Sequence, residues 1–283
     1  RNFKRFSITK KDAAARGCPC FGGLSAWARS SGSRVRSSRI PFWIFLTLTT
    51  PFSCTENSAV TLYNDLLTQL ADKLGPNGLL TAPDAIAPYC RDWRGLFQGQ
   101  ALAVLRPAST QELSDALALC ASYPTPPNIV PQGGNTGLCG GATPNAEGAN
   151  IVVSLSRMRA IGPLDTTDNT LAVEAGATLQ AAQEAAAAEG MVLPLSIASE
   201  GSAQIGGIVA TNAGGSKALR YGSARELVAG IEAVCIDGAK LDLMRSLRKD
   251  NTGYALRQLL VGSEGTLAIV TKALLRVQPA PNV

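Results

Sequence analysis

Three glycine-rich segments follow short apolar runs in this chain, and they constrain its fold more than any other feature. They cover residues 131–141, 194–222 and 248–267. Consecutive glycines allow positive φ angles and close backbone approaches, and they let several N–H groups converge on one anion. One such segment is equally well explained by a tight turn without a ligand. Three in one domain predict a narrow slot for a flat ligand that carries phosphate groups.

Two common nucleotide-binding motifs are absent from the sequence. No segment supplies the GxxxxGK[ST] of a P-loop or a GxGxxG that opens a helix. The chain also contains no histidine, which excludes Ser-His-Asp and Cys-His nucleophilic sites and HExxH metal sites. Any chemistry must therefore use carboxylates, amines, hydroxyls, backbone amides or a bound cofactor. We expect a nucleotide-like cofactor that is held by a different fold.

The positive net charge of the chain comes from its first 55 residues. These hold ten Lys or Arg residues and a single acid, Asp12, whereas residues 56–283 carry 16 basic and 20 acidic residues. The body is thus mildly acidic, which argues against a nucleic-acid partner. With 46% hydrophobic and 17% charged residues, the chain can bury a sizeable core.

Residues 1–55 run from an Arg- and Ser-rich stretch into an apolar run at 40–48. This order fits a transit peptide, a signal or interfacial segment, or upstream sequence that is not part of the folded protein. We expect a non-globular leader of the last kind. The apolar run is shorter than the roughly 20 residues of a membrane span, so no stable span is expected.

The cysteines predict free thiols in a reducing compartment. Their number is odd, their spacing is irregular and no CxxC pair occurs, which argues against a disulfide scaffold and a zinc site. We therefore expect a cytoplasmic protein, or a mitochondrial one if the leader is a transit peptide. The seven cysteines are Cys18, Cys20, Cys54, Cys90, Cys120, Cys139 and Cys235.

Hydrophobic periodicity predicts a mixed α+β fold rather than a doubly wound sheet. Helices are predicted from a capping box at Ser109 and Glu112, and at 59–74 and 179–189. A hairpin is predicted to turn at Asp237-Gly238. The other predicted strands are 101–105, 128–130, 151–155, 170–174 and 268–277. The domain division is a leader at 1–55, a helix and connecting loop at 56–97, and a ligand-binding domain at 98–283.

Five motifs carry a family resemblance: PQGGNTG, IGG…ATNAGG, LRYGS, LRKDNTGY and GSEGTL, in this order. They resemble the FAD-binding domain of FAD-linked oxidases of the vanillyl-alcohol-oxidase or PCMH type. They are most similar to the branch that contains D-2-hydroxyglutarate dehydrogenase and flavin-dependent D-lactate dehydrogenases. The resemblance runs from about Asp92 to about Pro281. It implies a PCMH-type domain of two α+β subdomains with mixed sheets, and FAD as the cofactor.

The resemblance also implies a set of cofactor-binding residues. The amides of residues 133–137 would hold the pyrophosphate, the residues of the second segment would line the ribityl chain and flavin, and those after 260 would lie near the adenosine. Because the chain has no histidine for a covalent link, we expect dissociable FAD. The implied set is Gln132, Gly133, Gly134, Asn135, Thr136, Gly137, Leu138, Pro194, Gly201, Ser202, Ile205, Gly206, Gly207, Thr211, Asn212, Glu264, Gly265 and Ile269.

The chain departs from the family pattern at three positions. Ile208 stands where relatives often have Asn, Ala255 where Asp is common, and Ala268 where Gly is usual. By the resemblance, the first departure would weaken a polar contact near the flavin, and the third would crowd a close-packed strand. We expect the site to be retained in spite of both.

The family implies oxidation of a D-2-hydroxy acid by hydride transfer to flavin. Its members continue into a substrate domain with metal-binding histidines and the catalytic base, and we expect that domain to be absent here. The catalytic residues are therefore unknown, and no metal is expected in this chain. The implied partners are a small 2-hydroxy acid, an electron acceptor of unknown identity and a possible second copy in a homodimer.

Two alternatives to this function stay open. One is a non-catalytic flavin-binding fragment. The other is a reductase of the same fold that acts on a UDP-sugar, which LRYGS and LRKDNTGY disfavour. Arg91, Arg94 and Arg220 could hold a substrate carboxylate, but surface charge is the simpler explanation, as it is for Lys249 and Asp250.

Overall fold

Two β-sheets of four and five strands, with helices packed against them, form most of the fold. The structure is a computed structural model, and it describes residues 56–281. The expectations for residues 1–55, including the non-globular leader, lie outside the described residues. The helices are α1 (Glu56–Leu74), α2 (Pro83–Ile86), α3 (Thr110–Ser122), α4 (Leu179–Ala188), α5 (Ile205–Ala210), α6 (Ala218–Tyr221), α7 (Ala224–Leu227) and α8 (Arg257–Leu260), and a 3-10 helix covers Ala87–Cys90. The strands are β1 (Leu79–Leu80), β2 (Ala103–Leu105), β3 (Asn128–Gln132), β4 (Asn150–Ser154), β5 (Ile161–Asp165), β6 (Thr170–Glu174), β7 (Met191–Val192), β8 (Val228–Val234), β9 (Lys240–Leu243), β10 (Ile269–Arg276) and β11 (Gln278–Pro279).

The first sheet is mixed and has the order β1-β2-β4-β3. Strands β2 and β3 both run parallel to the central β4, and β1 pairs antiparallel with β2. Helices α1 and α3 pack together on this sheet. Leu66 and Leu70 of α1, Leu113 and Leu117 of α3, and Ile151 of β4 are fully buried in one core. Because β4 is covered on both faces, all five of its residues are buried.

The start of α3 shows how local sequence fixes an element boundary. The Ser109 hydroxyl accepts a 3.1 Å hydrogen bond from the backbone N–H of Glu112. In return, the Glu112 carboxylate accepts a 2.8 Å hydrogen bond from the backbone N–H of Ala108. These bonds satisfy donors that a helix leaves unpaired at its N-terminus. The predicted cap at Ser109 is confirmed, with the return bond one residue earlier than in a standard capping box.

The second sheet is antiparallel throughout and has the order β5-β6-β10-β8-β9. This corrects one detail of the expected fold, in which both subdomains had mixed sheets. The connections explain the difference: β5–β6 and β8–β9 are hairpins, and β10 returns between the two hairpins. Helices α4 and α5 contribute Leu179, Ile205 and Val209 to the core of this sheet. A short third sheet pairs β7 with β11.

The predicted elements are confirmed within a few residues at their ends. The hairpin turn is where the sequence placed it, and Gly238 adopts a φ of 87° there. Strand β5, helix α5 and several elements of two to four residues were not predicted. Strand β5 contains a Gly-Pro pair, and α5 contains Gly206 and Gly207, so local propensity opposes both elements. Over residues 56–281, no helix has the length and apolar character needed to cross a membrane.

Candidate functional site

A groove of about 470 Å³ lies between the glycine-rich loop after β3, helix α5 and the start of β10. One wall is the loop at residues 131–142. The opposite wall combines α5 with the turn that carries Glu264 and Gly265. Val153, Leu155 and Val270 add apolar surface from the two sheets. A ligand in the groove would therefore contact backbone groups on one side and aliphatic side chains on the other.

The loop after β3 presents a row of unpaired backbone donors. Within the described residues, no N–H group from 133 to 139 donates a hydrogen bond to the protein. Backbone N–H groups almost always have a partner in folded proteins, either in the chain, in solvent or in a ligand. Consecutive free N–H groups in a glycine-rich turn form a concave site for an anion. This loop can therefore bind phosphate oxygens without using a cationic side chain.

A buried glutamine anchors the base of this loop. Gln132 is 5% exposed, and its side-chain amide donates to the carbonyl oxygens of Tyr89 at 2.9 Å and Ala142 at 2.7 Å. These two bonds join the start of the loop, its far end and the segment before β2. Gln132 therefore lines the groove but directs its amide N–H groups into the protein.

A second anchor is the segment at residues 91–98, here called the strap. The side chain of Asn135 donates a 2.8 Å hydrogen bond to the carbonyl oxygen of Arg91, and Arg94 donates to the carbonyl oxygen of Leu138. Asp92, which is 2% exposed, accepts a 2.7 Å hydrogen bond from the backbone N–H of Phe97. This bond holds the pKa of the Asp92 carboxyl below its usual value. The strap thus keeps the loop in shape, with Asn135 at a φ of 52°.

Close backbone contacts explain why the groove is built from glycines. A side chain on Gly134 would overlap the carbonyl oxygen of Ser202. A side chain on Gly265, which has a φ of 79°, would lie 2.8 Å from Cγ of Pro131. These distances are shorter than a Cβ atom tolerates, so only glycine at these positions allows the backbone to approach its neighbours this closely.

Helix α5 is held in place through its backbone. The N–H group of Gly206 donates a 2.8 Å hydrogen bond to the carbonyl oxygen of Ala175, at the end of β6. At the other end, the N–H groups of Gly262 and Glu264 donate to Val209 and Ala210 at 3.1 Å and 2.8 Å. Tertiary hydrogen bonds thus fix a helix that its two glycines disfavour, and they place Glu264 at the groove.

Thirteen of the expected cofactor-binding residues line the groove, and five do not. Those on the walls are Gln132, Gly133, Gly134, Asn135, Thr136, Gly137, Leu138, Gly206, Gly207, Thr211, Glu264, Gly265 and Ile269.

The other five expected residues do not line the groove. Pro194 is buried, and Ile205 belongs to the hydrophobic core. Gly201 and Ser202 are exposed, and Ser202 meets the loop through its backbone carbonyl at Gly134. The Asn212 side chain accepts hydrogen bonds within the chain.

Asn212 has a structural environment that the motif did not reveal. Its side-chain oxygen accepts hydrogen bonds from the Ser223 hydroxyl at 2.8 Å and from the backbone N–H of Arg225 at 3.0 Å. Its φ of 51° is in the left-handed region, which asparagine tolerates better than most residues. The side chain therefore joins the end of the second motif to helix α7.

Several groove residues were not predicted as site residues. Ile208 and Ala268, both noted as departures from the family pattern, are 4% exposed and line the groove. Cys139 and Gln204 also lie on its walls. Gln204 directly precedes a predicted residue, and Cys139 lies at the end of the glycine loop, so both could have been found by extending the motifs. The aliphatic residues from β4 carry no local signal.

Charged side chains contribute little to the groove itself. Glu264 is the only Asp, Glu, Lys or Arg among its described lining residues. Arg91 and Arg94 lie in the strap, and the Arg220 guanidinium lies 5.1 Å from the ring centre of Tyr221, outside the lining set. Asp250 pairs with Arg245 at 3.4 Å. Residues 56–281 contain no group of three or more Cys, Asp or Glu side chains that could hold a metal ion.

These features fit a dinucleotide. The free N–H groups at 133–139 suit a diphosphate, and the aliphatic walls suit flat rings. Glu264 can accept hydrogen bonds from ribose hydroxyls. The glycine contacts keep the groove free of side chains at the place where the loop approaches α5.

Comparison with known families agrees with this geometry. The model of a family described as "FAD binding domain" matches residues 101–243, about half of the 283 residues. Alkyldihydroxyacetonephosphate synthase has a similar fold, with a TM-score of 0.69, 21% identity and coverage of 78% of this chain and 41% of that one. The expected α+β, PCMH-type FAD-binding fold is confirmed.

Curated relatives match over longer stretches. The mitochondrial D-2-hydroxyglutarate dehydrogenase of Bos taurus is 37% identical over 269 residues, which cover 93% of this chain and 48% of that protein. The corresponding Arabidopsis thaliana enzyme is 38% identical, with coverage of 81% and 42%. A putative mitochondrial D-lactate dehydrogenase of Schizosaccharomyces pombe is 40% identical, with coverage of 68% and 36%.

The chain spans less than half the length of each of these relatives. The family match, by contrast, covers strands β2, β3 and β4 of the first sheet and two of the three glycine-rich segments, those at 131–141 and 194–222. The chain therefore belongs to the FAD binding domain family.

Proposed function

We propose that the groove between the two sheets binds FAD without a covalent bond. The observation that carries this proposal is the row of free N–H groups from 133 to 139, in a loop that lines the groove. These groups would hold the two phosphates of FAD. The described residues that line the groove include no Lys or Arg side chain to neutralise the phosphate charge. Arg94, which is bonded to the same loop at Leu138, would supply positive charge from outside the groove.

The remaining walls would contact the two halves of the cofactor separately. Gly206, Gly207 and Thr211 would flank the ribityl chain and flavin, where α5 approaches the loop. Glu264, Gly265 and Ile269 would flank the adenosine, with the Glu264 carboxylate accepting from ribose hydroxyls. Pro194, Gly201, Ser202, Ile205 and Asn212 would support these walls from behind.

The whole protein is proposed to oxidise a D-2-hydroxy acid, of the 2-hydroxyglutarate or lactate type. The names of the relatives from Bos taurus, Arabidopsis thaliana and Schizosaccharomyces pombe support this substrate class. Bound FAD would supply a two-electron acceptor for the substrate hydride. The contribution of residues 56–281 is to bind and orient the cofactor, because the groove offers Glu264 as its only carboxylate and no amine to act as a base.

The alternatives differ in what reduces the flavin. A non-catalytic FAD-binding module would bind the cofactor but pass no electrons from a hydroxy acid. A UDP-sugar reductase of the same fold would accept electrons from NADPH. The curated relatives favour the dehydrogenase over both.

A mitochondrial location is proposed for the protein. The bovine, plant and fission-yeast relatives are all named as mitochondrial, whereas the D-2-hydroxyglutarate dehydrogenase of Xanthomonas citri is not. The bovine match covers 93% of this chain and so includes part of residues 1–55. This supports a transit peptide over the cytoplasmic expectation. A fluorescent protein fused to residues 1–55 should enter mitochondria, and a diffuse signal would favour the cytoplasmic alternative.

The cofactor proposal is tested by titrating the purified 283-residue protein with FAD. We expect saturable quenching of flavin fluorescence with one site, and release of free FAD after denaturation in trichloroacetic acid. Absence of binding would contradict the proposal, and flavin that stays with the precipitated protein would contradict its non-covalent nature.

The activity is tested on the complete product of the gene, from its native start to its stop codon. Under anaerobic conditions, D-2-hydroxyglutarate or D-lactate should bleach the flavin absorbance, while the L-enantiomers should not. Bleaching by NADPH alone would favour the reductase. A flavin that none of these compounds reduces would favour the non-catalytic module.

A further inference from the structure

Three arginines are here called the arginine cluster, because the charges of Arg248 and Arg257 act on the guanidinium of Arg276. Arg276 is the last residue of β10 and pairs with Thr170 at the start of β6. Arg257 is the first residue of α8, and Arg248 lies in the loop after β9. None of the three lines the groove.

The arginine cluster lacks partners within the part of the chain that the structure describes. No hydrogen bond or ion pair there joins the guanidinium group of Arg248, Arg257 or Arg276 to another residue. The Nε atoms of Arg257 and Arg276 are buried and have no acceptor. Arg225, in contrast, places its guanidinium against the carbonyl oxygens of Gln258 and Val261.

The nearest acid in sequence is already engaged elsewhere. Asp250 accepts hydrogen bonds from the hydroxyl of Thr252 at 2.6 Å and from its backbone N–H at 3.0 Å. It also pairs with Arg245 at 3.4 Å. The Asp250 carboxylate therefore pairs with Arg245 and not with the arginine cluster.

This arrangement has two energetic costs. A buried N–H donor without an acceptor is unfavourable, because it has lost its hydrogen bonds to water. Like charges that are partly removed from water also repel each other. In agreement, burial and the neighbouring Arg257 and Arg248 charges lower the pKa of the Arg276 guanidinium from its usual value. A bound anion would relieve both costs at once.

We propose that the arginine cluster is a binding site for a small multivalent oxyanion, either a phosphate group or a compound with two or three carboxylates. Guanidinium groups present paired N–H donors that match carboxylate and phosphate oxygens in a bidentate manner. Three guanidiniums suit an anion with more than one negative charge. The site would be separate from the FAD groove, so its occupant would bind together with the cofactor.

The inference is tested by calorimetric titration of the FAD-saturated 283-residue protein. Saturation with FAD fills the glycine loop, which could otherwise bind the same anions. Inorganic phosphate and citrate are titrated separately at constant ionic strength, set with chloride, to distinguish the two ligand chemistries. We expect one site for at least one of them, and a loss of affinity of at least about tenfold in Arg276→Gln and in Arg248→Gln, because each variant lacks one charged guanidinium that would donate to the anion.

Arg159→Gln is the matched control. Arg159 is exposed, as Arg248 is, and it is far from the arginine cluster in sequence. Its guanidinium bonds only to the carbonyl oxygen of Ser156. It should leave anion affinity unchanged. An equal loss in Arg159→Gln, equal affinities in all variants, or no binding of either anion would each overturn the inference.

Thermal unfolding gives a second readout that a purely structural role would not produce. In phosphate-free buffer, Arg276→Gln should unfold at the same or a higher temperature than the unaltered protein, because one repulsive charge is removed. Phosphate or citrate should then raise the melting temperature of the unaltered protein more than that of the variant. Equal shifts would contradict the site. FAD titration of the same variants should give an unchanged Kd, which keeps this outcome distinct from a failure of the cofactor proposal.

Discussion

The guanidinium group of Arg225 donates a 2.6 Å hydrogen bond to the backbone carbonyl of Gln258 and thereby ties helix α7 to the loop that carries Glu264. The same side chain also donates to Val261. The loop continues through Gly262, whose N–H group bonds to Val209 at the end of α5. An arginine outside the groove thus helps to fix one of its walls.

Arg225→Met should weaken FAD binding by about tenfold or more. The substitution removes all hydrogen bonds from the guanidinium, each worth about 1.5–3 kcal/mol when a charged group takes part. Arg225→Lys retains a single cationic donor and should have an intermediate effect. Fluorescence titration with FAD measures the Kd, and Arg159→Met serves as a control. If the melting temperature falls while the Kd stays constant, Arg225 supports folding and does not position the groove.

Gly134→Ala should destabilise the protein and abolish tight FAD binding. The added Cβ would overlap the carbonyl oxygen of Ser202, so the loop must move, at a cost of about 1–3 kcal/mol. Gly137→Ala is the matched variant, because a Cβ at Gly137 meets nothing within 4 Å. Chemical denaturation should show a lower free energy of unfolding for the first variant and a nearly unchanged value for the second. Equal losses in both would contradict this account of the loop.

FAD should protect Cys139 from alkylation. Cys139 is exposed and lines the groove, whereas Cys120 is 1% exposed and burial raises its pKa to about 11. Cys235 is half-buried outside the groove and provides an internal control. Iodoacetamide labelling followed by peptide mass spectrometry should show slower modification of Cys139 with FAD present, and an unchanged rate at Cys235. Identical rates at Cys139 with and without FAD would place the cofactor elsewhere.

The strap should make stability depend on pH through Asp92. The hydrogen bond from the backbone N–H of Phe97 lowers the pKa of this carboxyl from its usual 3.8. A depressed native pKa contributes stability that is fully present above the unfolded value and is lost as the pH falls through the native value. Asp92→Asn should therefore be less stable at pH 7, and the difference should shrink below pH of about 4. Parallel melting-temperature curves for the two proteins from pH 7 to pH 3 would argue against this role.

The sequence was sufficient for the elements whose signals are local. The cap at Ser109, the hairpin turn at Gly238 and the apolar faces of α1 and α3 all arise from residues within one or two turns of each other. The order of the glycine motifs was sufficient for the family. The absence of histidine excluded a histidyl link to the flavin without any structural information.

The elements that the sequence missed depend on distant contacts. Helix α5 forms although it contains Gly206 and Gly207. Backbone hydrogen bonds join it to Ala175, Gly262 and Glu264, which lie in other segments. A local pattern cannot show these bonds. The same holds for Val153 and Leu155, which line the groove because β4 lies at the centre of its sheet.

By itself, therefore, the sequence determined the family, the approximate elements and the anion-binding character of the glycine loop, since glycine's backbone freedom is a property of single residues. Tertiary structure alone decided which motif residues face the groove and which, like Asn212, bond to other parts of the chain. It also decided that Arg225 is paired while Arg248, Arg257 and Arg276 are not. Pairing of charges depends on distances between segments far apart in sequence, and only the folded chain sets those distances.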